Sequence, residues 1–274
     1  MAQIVVLVLK ASIAALLLGI GMRASVADVL ALWRRPAALL RAVLAMYVLV
    51  PLAAVALVRL LHPVRPVGAA ILVLAVSAGA PVLTKKLLKL DRESYVLGLS
   101  VTTSLLAIIT VPAWISFLAP LFGSDASVEP VAIASVLAKG FLAPLVVGML
   151  LRLALRDRAE AISMGVLKVA GIVLGLAGLT LIVASFGLIV SVGWESLLAL
   201  AALALVATAI GHVVGGPDPG ERTALGVSCA SRHVGIAMLA ASATPGKATI
   251  ALVLAYLLVA TLVTIPYLKW RGAA

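Results

Sequence analysis

Two short polar segments interrupt apolar stretches that are each long enough to cross a membrane. The first reads Ser-Ala-Gly-Ala-Pro at 77–81, and the second reads Ser-Arg-His-Val-Gly at 231–235. Paired interruptions of this kind, at corresponding positions in two halves of a chain, are typical of the binding site of a secondary transporter, because the unwound backbone lines a cavity at mid-membrane depth. We therefore expect any substrate chemistry of this chain to take place at these two breaks.

Arg232 is a formal charge inside the second break. A charge at bilayer depth costs at least about 2.5–3.5 kcal/mol on insertion scales, so it is a functional residue by default. Its guanidinium offers donors in a fork that matches a carboxylate, sulfate or phosphate, and a helix N-terminus at the break adds partial positive charge toward the same anion. Two hypotheses follow. Arg232 anchors an anionic substrate, or it holds free carbonyl groups of the unwound segment and replaces a coupling cation. No carboxylate lies deep within an apolar stretch, which favours an exogenous anion or backbone carbonyls as its partner.

Other polar residues at the breaks also allow two roles each. His233 is either a proton carrier, since imidazole titrates near neutral pH, or a hydrogen-bonding fixture of the break. Lys85 and Lys86 either face the substrate path or snorkel to the membrane surface. Ser77 and Ser231 occupy equivalent positions, where a hydroxyl either satisfies free backbone groups or contacts the substrate.

The two breaks belong to an internal repeat, in which residue 77 corresponds to residue 231. The runs 105–112 and 259–266 are similar throughout, and both end in Thr-x-Pro. The repeat predicts two structural units of similar fold with one break in each. The identical pairs at this offset include Ser77 and Ser231, Thr110 and Thr264, and Pro112 and Pro266.

The composition is that of an integral membrane protein. Of the 274 residues, 64% are hydrophobic and 11% are charged, whereas a soluble domain carries roughly 25% charged residues. The net charge of +11 is explained by short basic loops that orient the spans and contact anionic lipid, so we expect no nucleic acid partner. The single cysteine, Cys229, excludes an internal disulfide and a Cys-based metal site. There are three histidines, none in a His-x-x-x-His pair, so we expect no enzyme, no metal site and no cofactor.

Nine apolar segments are long enough to span a bilayer, which requires about 20 residues each. They predict an all-α polytopic fold. In the sixth segment, Gly171, Gly175 and Gly178 form a small-residue face that predicts close helix packing. The predicted spans are 3–22, 37–60, 67–90, 93–118, 131–151, 166–190, 195–214, 221–243 and 248–268.

The loops alternate in basic charge, and this predicts the orientation of the chain. The side with few Lys and Arg residues is expected to lie outside, together with the N-terminus. The side rich in Lys and Arg is expected to lie in the cytoplasm, together with the C-terminus. Spans 2–4 and 7–9 then enter from opposite sides, which predicts an inverted five-plus-five repeat whose first helix is missing. The outer side carries Arg59, Arg65, Lys139 and Lys247, and the cytoplasmic side carries Arg23, Arg34, Arg35, Arg41, Lys85, Lys86, Lys89, Arg92, Arg152, Arg156, Arg158, Lys168, Arg222, Lys269 and Arg271.

Three segments make the chain similar to the bile acid:sodium symporter family and its bacterial relatives. They are Leu-Gly-Ile-Gly-Met-Arg-Ala-Ser at 18–25, the break at 77–81, and Cys-Ala-Ser-Arg-His-Val-Gly-Ile-Ala at 229–237. The resemblance covers nearly the whole length. It implies ten helices, or nine without the first, in a panel domain and a core domain whose two broken helices cross at mid-membrane. The implied domains are 1–22 and 131–190 for the panel, 37–118 for core repeat 1, and 195–268 for core repeat 2.

The chain departs from the family where the resemblance would place sodium ligands. Sodium-dependent members carry a carboxylate seven residues, and an amide three residues, before the glycine matched by Gly235. This chain has Ser228 and Arg232 there. Those members also carry a small hydroxyl residue and an asparagine after the first break, where this chain has Thr84 followed by two lysines. Fixed cations at these places argue against sodium coupling. Oxygen ligands for an ion remain on the fourth span, at Ser100, Thr102, Thr103 and Ser104.

Taken together, these features predict a secondary active transporter of small organic anions that works by alternating access in a bacterial inner membrane. H⁺ or Na⁺ is the candidate coupling ion. The alternative is a proton-coupled or uncoupled organic anion exporter of the same fold. The candidate ion ligands are Ser100, Thr103 and Ser104, and the candidate substrate-binding residues are Ser77, Thr84, Lys85, Lys86, Ser228, Ser231, Arg232 and His233.

Overall fold

The computed structural model describes residues 2–77, 93–122, 129–156, 158–191, 193–242 and 247–272. These residues form helices joined by short connections, without any strand. The helices are α1 (Ala2–Gly21), α2 (Val26–Val29), α3 (Pro36–Val43), α4 (Val50–Leu61), α5 (Arg65–Val76), α6 (Glu93–Phe122), α7 (Pro130–Leu137), α8 (Ala143–Leu155), α9 (Arg158–Ser191), α10 (Trp194–Val214), α11 (Pro219–Ala230), α12 (Val234–Ser242) and α13 (Lys247–Trp270).

The lengths and composition of the helices fit a polytopic membrane protein, and the fold class is confirmed at this level. In the described part of the chain, six helical segments are long and apolar enough to cross a bilayer, and α5 is a shorter apolar helix. The total of nine spans and the inverted repeat stay predictions. The six segments are Pro36–Leu61, Ser94–Leu118, Pro130–Leu155, Arg158–Ala177, Trp194–Val214 and Ala248–Trp270.

Two of the long segments contain a π-helical turn. Leu44–Leu49 joins α3 to α4, and Ala138–Leu142 joins α7 to α8. A π-turn widens the helix locally and often lies at a functional site. In the first turn, the carbonyl oxygen of Tyr47 accepts a hydrogen bond from Trp114 Nε1 at 2.9 Å. The second turn carries Phe141, which is buried. These turns place two aromatic side chains next to the broken helices.

The structure has helix ends at both sequence-predicted breaks. α5 ends at Val76, and Ser77 follows with a non-helical backbone. The remainder of the first predicted broken span, up to residue 90, lies outside the described residues. The second break is described completely, since α11 ends at Ala230, α12 begins at Val234, and residues 231–233 between them are non-helical.

Glycine residues allow the closest helix contacts. α1 packs against α8 and α9, and α10 packs against α11 and α13. At the α1–α8 crossing, a Cβ atom on Gly148 would lie 2.9 Å from the Cα of Gly21 and would also overlap the carbonyl oxygen of Leu18. At the α10–α11 crossing, a Cβ atom on Gly211 would lie 2.7 Å from the Cα of Gly226. Small residues let helix backbones approach in this way in membranes, where apolar burial alone gives little attraction.

The connection between α1 and α3 is tied to α6 through α2. Ser25 caps α2, and the Asp28 carboxylate accepts hydrogen bonds from Ser25 and from Ser94 at the start of α6. Burial by itself raises the pKa of Asp28, but these hydrogen bonds outweigh it and lower the pKa below its ordinary value. Arg35, just before α3, forms an ion pair with Glu221 in the first turn of α11. These contacts fix the connection to α6 and to α11, the helix that ends at the second break.

Candidate functional site

The two breaks are in direct contact. The backbone N–H of His233 donates a hydrogen bond to the carbonyl oxygen of Ser77 at 3.1 Å. Both groups lack an intrahelical partner, because the carbonyl of Ser77 follows the end of α5 and the N–H of His233 precedes the start of α12. The sequence places the two breaks, not these two residues, at corresponding positions of the predicted repeat, and the structure joins the breaks by this main-chain bond. The chain thus brings its two interruptions to one place.

Arg232 is deeply buried at this place, and no described residue forms a hydrogen bond or an ion pair with its side chain. Only 2% of its surface is exposed. Within the part of the chain that the structure describes, none of its three guanidinium nitrogens makes a hydrogen bond. A buried, ionised group without compensation costs several kcal/mol, so such groups are almost always paired in proteins. An unpaired guanidinium at a helix break is therefore equipped to receive an anion.

The ionisable side chains around Arg232 do not neutralise its charge. Tyr47, Cys229 and Tyr256 lie within electrostatic range of the guanidinium. Phenol and thiol groups are neutral at neutral pH. Among the described residues, no aspartate or glutamate forms an ion pair with Arg232, and the carboxylate of Glu221 is bound to an arginine elsewhere. The surroundings leave the positive charge in place.

Both tyrosine hydroxyl groups donate their hydrogen bonds to backbone carbonyls. Tyr256 donates its hydroxyl proton to the carbonyl oxygen of Ala230, the last residue of α11, at 2.6 Å. Tyr47 donates its own to the carbonyl oxygen of Thr103 on α6. A phenol has only one proton to donate, so each oxygen presents lone pairs to its other neighbours. Tyr256 lies close to Arg232, yet no hydrogen bond of normal geometry joins the two. These phenols can orient the guanidinium without cancelling its charge.

His233 caps helix α12. Its Nδ1 accepts a hydrogen bond from the backbone N–H of Ile236 at 3.3 Å, and its carbonyl oxygen accepts the first intrahelical bond, from Ala237. An accepting Nδ1 carries no proton, so the capping ring is neutral with its proton on Nε2. The ring also packs edge-on against Phe141, with centroids 6.5 Å apart. This is the geometry of the hydrogen-bonding fixture, the second of the two hypotheses for His233, because protonation of Nδ1 would remove the cap.

The two equivalent serines differ in the structure. Ser77 Oγ donates to the carbonyl oxygen of Val73 at 2.8 Å and so satisfies its own helix. Ser231 Oγ is buried and has no hydrogen-bond partner in the described part of the chain. Ser228, one turn earlier on α11, is half-buried. Of the two break serines, Ser231 has the free hydroxyl next to the unpaired guanidinium.

The hydroxyl groups on α6 also divide into two kinds. Ser100 Oγ donates to the carbonyl of Val96 and Thr103 Oγ1 donates to that of Leu99, both one turn earlier in the same helix. Such hydroxyls keep their lone pairs available as ligands. Thr102 Oγ1 is buried and has no partner among the described residues, and Ser104 is also buried. The carbonyl of Thr103 reaches Tyr47, which links this helix to the surroundings of Arg232.

The structure neither supports nor contradicts some of the expected site residues. Thr84, Lys85 and Lys86 lie outside the described residues. Within the described ranges, no group of three or more His, Cys, Asp or Glu residues is placed to hold a metal ion.

The family of the chain follows from its sequence together with this helical architecture. The sequence model of the sodium bile acid symporter family matches residues 11–200, which is more than half of the chain. The chain belongs to the sodium bile acid symporter family. The resemblance predicted from short motifs is thereby confirmed. Membership identifies the chain as a membrane transporter and agrees with the expectation that it is not an enzyme.

The match to the sodium bile acid symporter family ends before the second break. Residue 200 lies inside α10, so residues 231–233 and the unpaired guanidinium fall beyond the matched stretch. No curated protein matches the chain as a relative. The chemistry of the second break therefore has to be argued from its own residues.

Three residues of the site were missed by the sequence reasoning: Tyr47, Phe141 and Tyr256. Aromatic residues form only 4% of the chain, so each one inside a span was a usable signal for a special position. The π-turns that present Tyr47 and Phe141 had no recognisable sequence pattern.

Proposed function

We propose that this protein is a secondary active transporter of small organic anions, with Arg232 as the anion anchor. The observation that carries the proposal is the buried guanidinium at the helix break without a protein partner. A carboxylate or another oxyanion would supply both the missing charge and the missing hydrogen-bond acceptors. Ser231 adds a free hydroxyl donor beside it.

Alternating access is the mechanism that fits this arrangement. In our proposal, the panel consists of residues 1–22 and 131–190, and the core consists of 37–118 and 195–268. The repeat is inverted, so that rocking of the core against the panel exposes the same site to either side. The contact between Phe141 on the panel and His233 in the core lies at this boundary. Motion of the core would break it and open the site.

Sodium has no obvious role in this proposal. The guanidinium of Arg232 already supplies a positive charge at the break, and Ser228 supplies no carboxylate for a metal ion. A proton-coupled cycle through His233 is disfavoured as well, since its Nδ1 is used as a helix cap. The oxygen atoms of Ser100, Thr103 and Ser104 remain as the alternative ligand set.

A thermal-shift screen of anions tests the function and its coupling together. We expect small carboxylates, a bile acid, sulfate or phosphate to raise the melting temperature of the purified protein, because a ligand at 100 times its Kd stabilises the folded state by about 2.7 kcal/mol. The shift should be the same when choline replaces sodium at constant ionic strength. A stabilisation that appears only in sodium would mean that the hydroxyls on α6 build a sodium site, and our interpretation of the substitutions would be wrong.

The proposed orientation is tested by cysteine labelling in whole cells. Single cysteines are introduced as Ser127→Cys and Arg156→Cys in a Cys229→Ala background. Position 127 belongs to a predicted outer loop outside the described residues, and Arg156 follows α8 on the predicted cytoplasmic side. A membrane-impermeant thiol reagent should modify position 127 and leave position 156 unmodified until the cells are opened. The opposite pattern would overturn the proposed topology.

A further inference from the structure

Among the residues that the structure describes, Arg232 has no carboxylate as a counter-charge. On α11, which ends two residues before Arg232, Glu221 lies in the first turn and Asp218 is the N-cap, both at the end far from the break. Glu221 is eleven residues away, or roughly 16 Å along a helix at 1.5 Å per residue. Glu221 pairs with Arg35, and Asp218 caps the helix through the Glu221 N–H. Neither carboxylate is available to Arg232.

The groups nearest to Arg232 stabilise its position and leave its charge unchanged. Tyr256 and Tyr47 offer only oxygen lone pairs, since both hydroxyl protons are bonded to backbone carbonyls. Cys229 is a buried, free thiol. A guanidinium does not lose its proton in proteins. Among the described residues, the site without an anion therefore carries the single positive charge of Arg232, and a bound monovalent anion neutralises that charge.

This difference has a direct consequence for alternating access. When the core moves its site through the apolar part of the membrane, an uncompensated charge raises the barrier, and a neutral ion pair raises it much less. A carrier with an anion bound can therefore cross in either direction. A carrier that has released its anion is held on the side of release until another anion binds.

We propose that this protein is an obligatory anion exchanger: one anion crosses inward for each anion that crosses outward, and the empty carrier does not return. The inference rests on the proposed function of Arg232 as anion anchor and adds the coupling rule. No sodium ion or proton has to move in this cycle, and the driving force is the gradient of the counter-anion.

The test measures reorientation directly, so it does not require the natural substrate. A reporter cysteine, Phe141→Cys in a Cys229→Ala background, replaces the panel residue that contacts His233. Purified protein is reconstituted in vesicles in a medium whose anion is the large, impermeant gluconate. An impermeant thiol reagent is applied from the outer or the inner face. We expect the protein with Arg232 to be labelled quickly from one face only, and Arg232→Gln to be labelled from both faces, at least about tenfold faster on the second face.

Two further arms complete the test. Acetate or another small monocarboxylate is added to the protein with Arg232, and a monovalent anion that fits the site should restore labelling from the second face. Arg65→Gln, which removes an exposed arginine at the start of the other broken helix, should leave the labelling pattern as it is with Arg232. Labelling that is equal in the Arg232 and Arg232→Gln proteins, whether fast, slow or absent from both faces, overturns the inference.

The outcome separates exchange from the proposed function. If anions stabilise the protein in the thermal screen through Arg232, and yet the protein reorients freely in gluconate, then anion transport stands and obligatory exchange is wrong. If no anion binds through Arg232, the proposed function fails first. Once a stabilising anion is identified, uptake of that anion in radiolabelled form also separates exchange from simple transport. Obligatory exchange requires vesicles preloaded with anion, whereas simple transport does not.

Discussion

Arg232→Gln is expected to weaken the binding of a stabilising anion by roughly ten- to a hundredfold or more. Hydrogen bonds to charged groups contribute about 1.5–3 kcal/mol each, and each 1.4 kcal/mol changes a binding constant tenfold. Arg232→Lys should recover only part of the affinity, because an ammonium group cannot form the two parallel bonds of a guanidinium. The measurement is a binding titration on detergent-purified, monodisperse protein, with Arg65→Gln as the control for loss of an exposed arginine.

The same substitution also distinguishes the two hypotheses for Arg232 without a ligand. The guanidinium is buried and has no partner among the described residues, so its replacement by a neutral amide removes an uncompensated charge. We expect the melting temperature of ligand-free Arg232→Gln to stay the same or to rise. If Arg232 instead held the unwound backbone together, the melting temperature would fall and the affinity of the surviving protein would be unchanged. That pair of results would contradict the anchor hypothesis and direct attention to Lys85 and Lys86.

The helical character of the chain and the helix ends at the two breaks could be predicted from the sequence, because they depend on hydropathy and on helix-breaking residues. The predicted break at 231–235 coincides with the non-helical residues between α11 and α12, and α5 ends at the predicted first break. The family was also predictable, since motifs at 18–25 and 77–81 lie within the stretch that the family model matches.

The hydrogen-bond partners at the site could not be predicted from the sequence. The repeat makes Ser77 and Ser231 equivalent, yet Ser77 bonds its own helix and Ser231 does not. That choice depends on side-chain rotation at each helix end. Tyr256 reaches Ala230 across two helices, a contact that no local pattern encodes. The lack of a partner for Arg232 among the described residues likewise depends on the hydrogen bonds that Tyr47 and Tyr256 make to backbone carbonyls.

The place of the closest helix contacts was also not evident from the sequence pattern. The small-residue face of Gly171, Gly175 and Gly178 predicted packing in the sixth span, but a Cβ atom on Gly175 would meet no atom of the described chain within 4 Å. The tight crossing instead involves Gly21 and Gly148, which stand on different helices. A motif on one helix shows only that close approach is allowed. Whether it occurs depends on the surface of the partner helix.

Gly148→Ala is expected to destabilise the protein, and Gly175→Ala is not. The added methyl group at Gly148 overlaps the carbonyl oxygen of Leu18 and the backbone of Gly21, so α1 and α8 must separate. Overpacking of this kind costs about 1–3 kcal/mol, and backbone atoms cannot rotate away as a side chain can. Alanine improves helix propensity by up to about 1 kcal/mol at either site, which offsets part of the loss at 148 and is a net gain at 175.

The two variants form a matched pair, since each adds one methyl group inside a helix. Their melting temperatures in detergent should therefore differ in sign relative to the unsubstituted protein, with a loss for Gly148→Ala and no loss for Gly175→Ala. Equal melting temperatures would mean that α1 and α8 do not cross at this distance. A loss at Gly175 alone would indicate that its open face packs against a helix outside the described chain, such as one of a second copy.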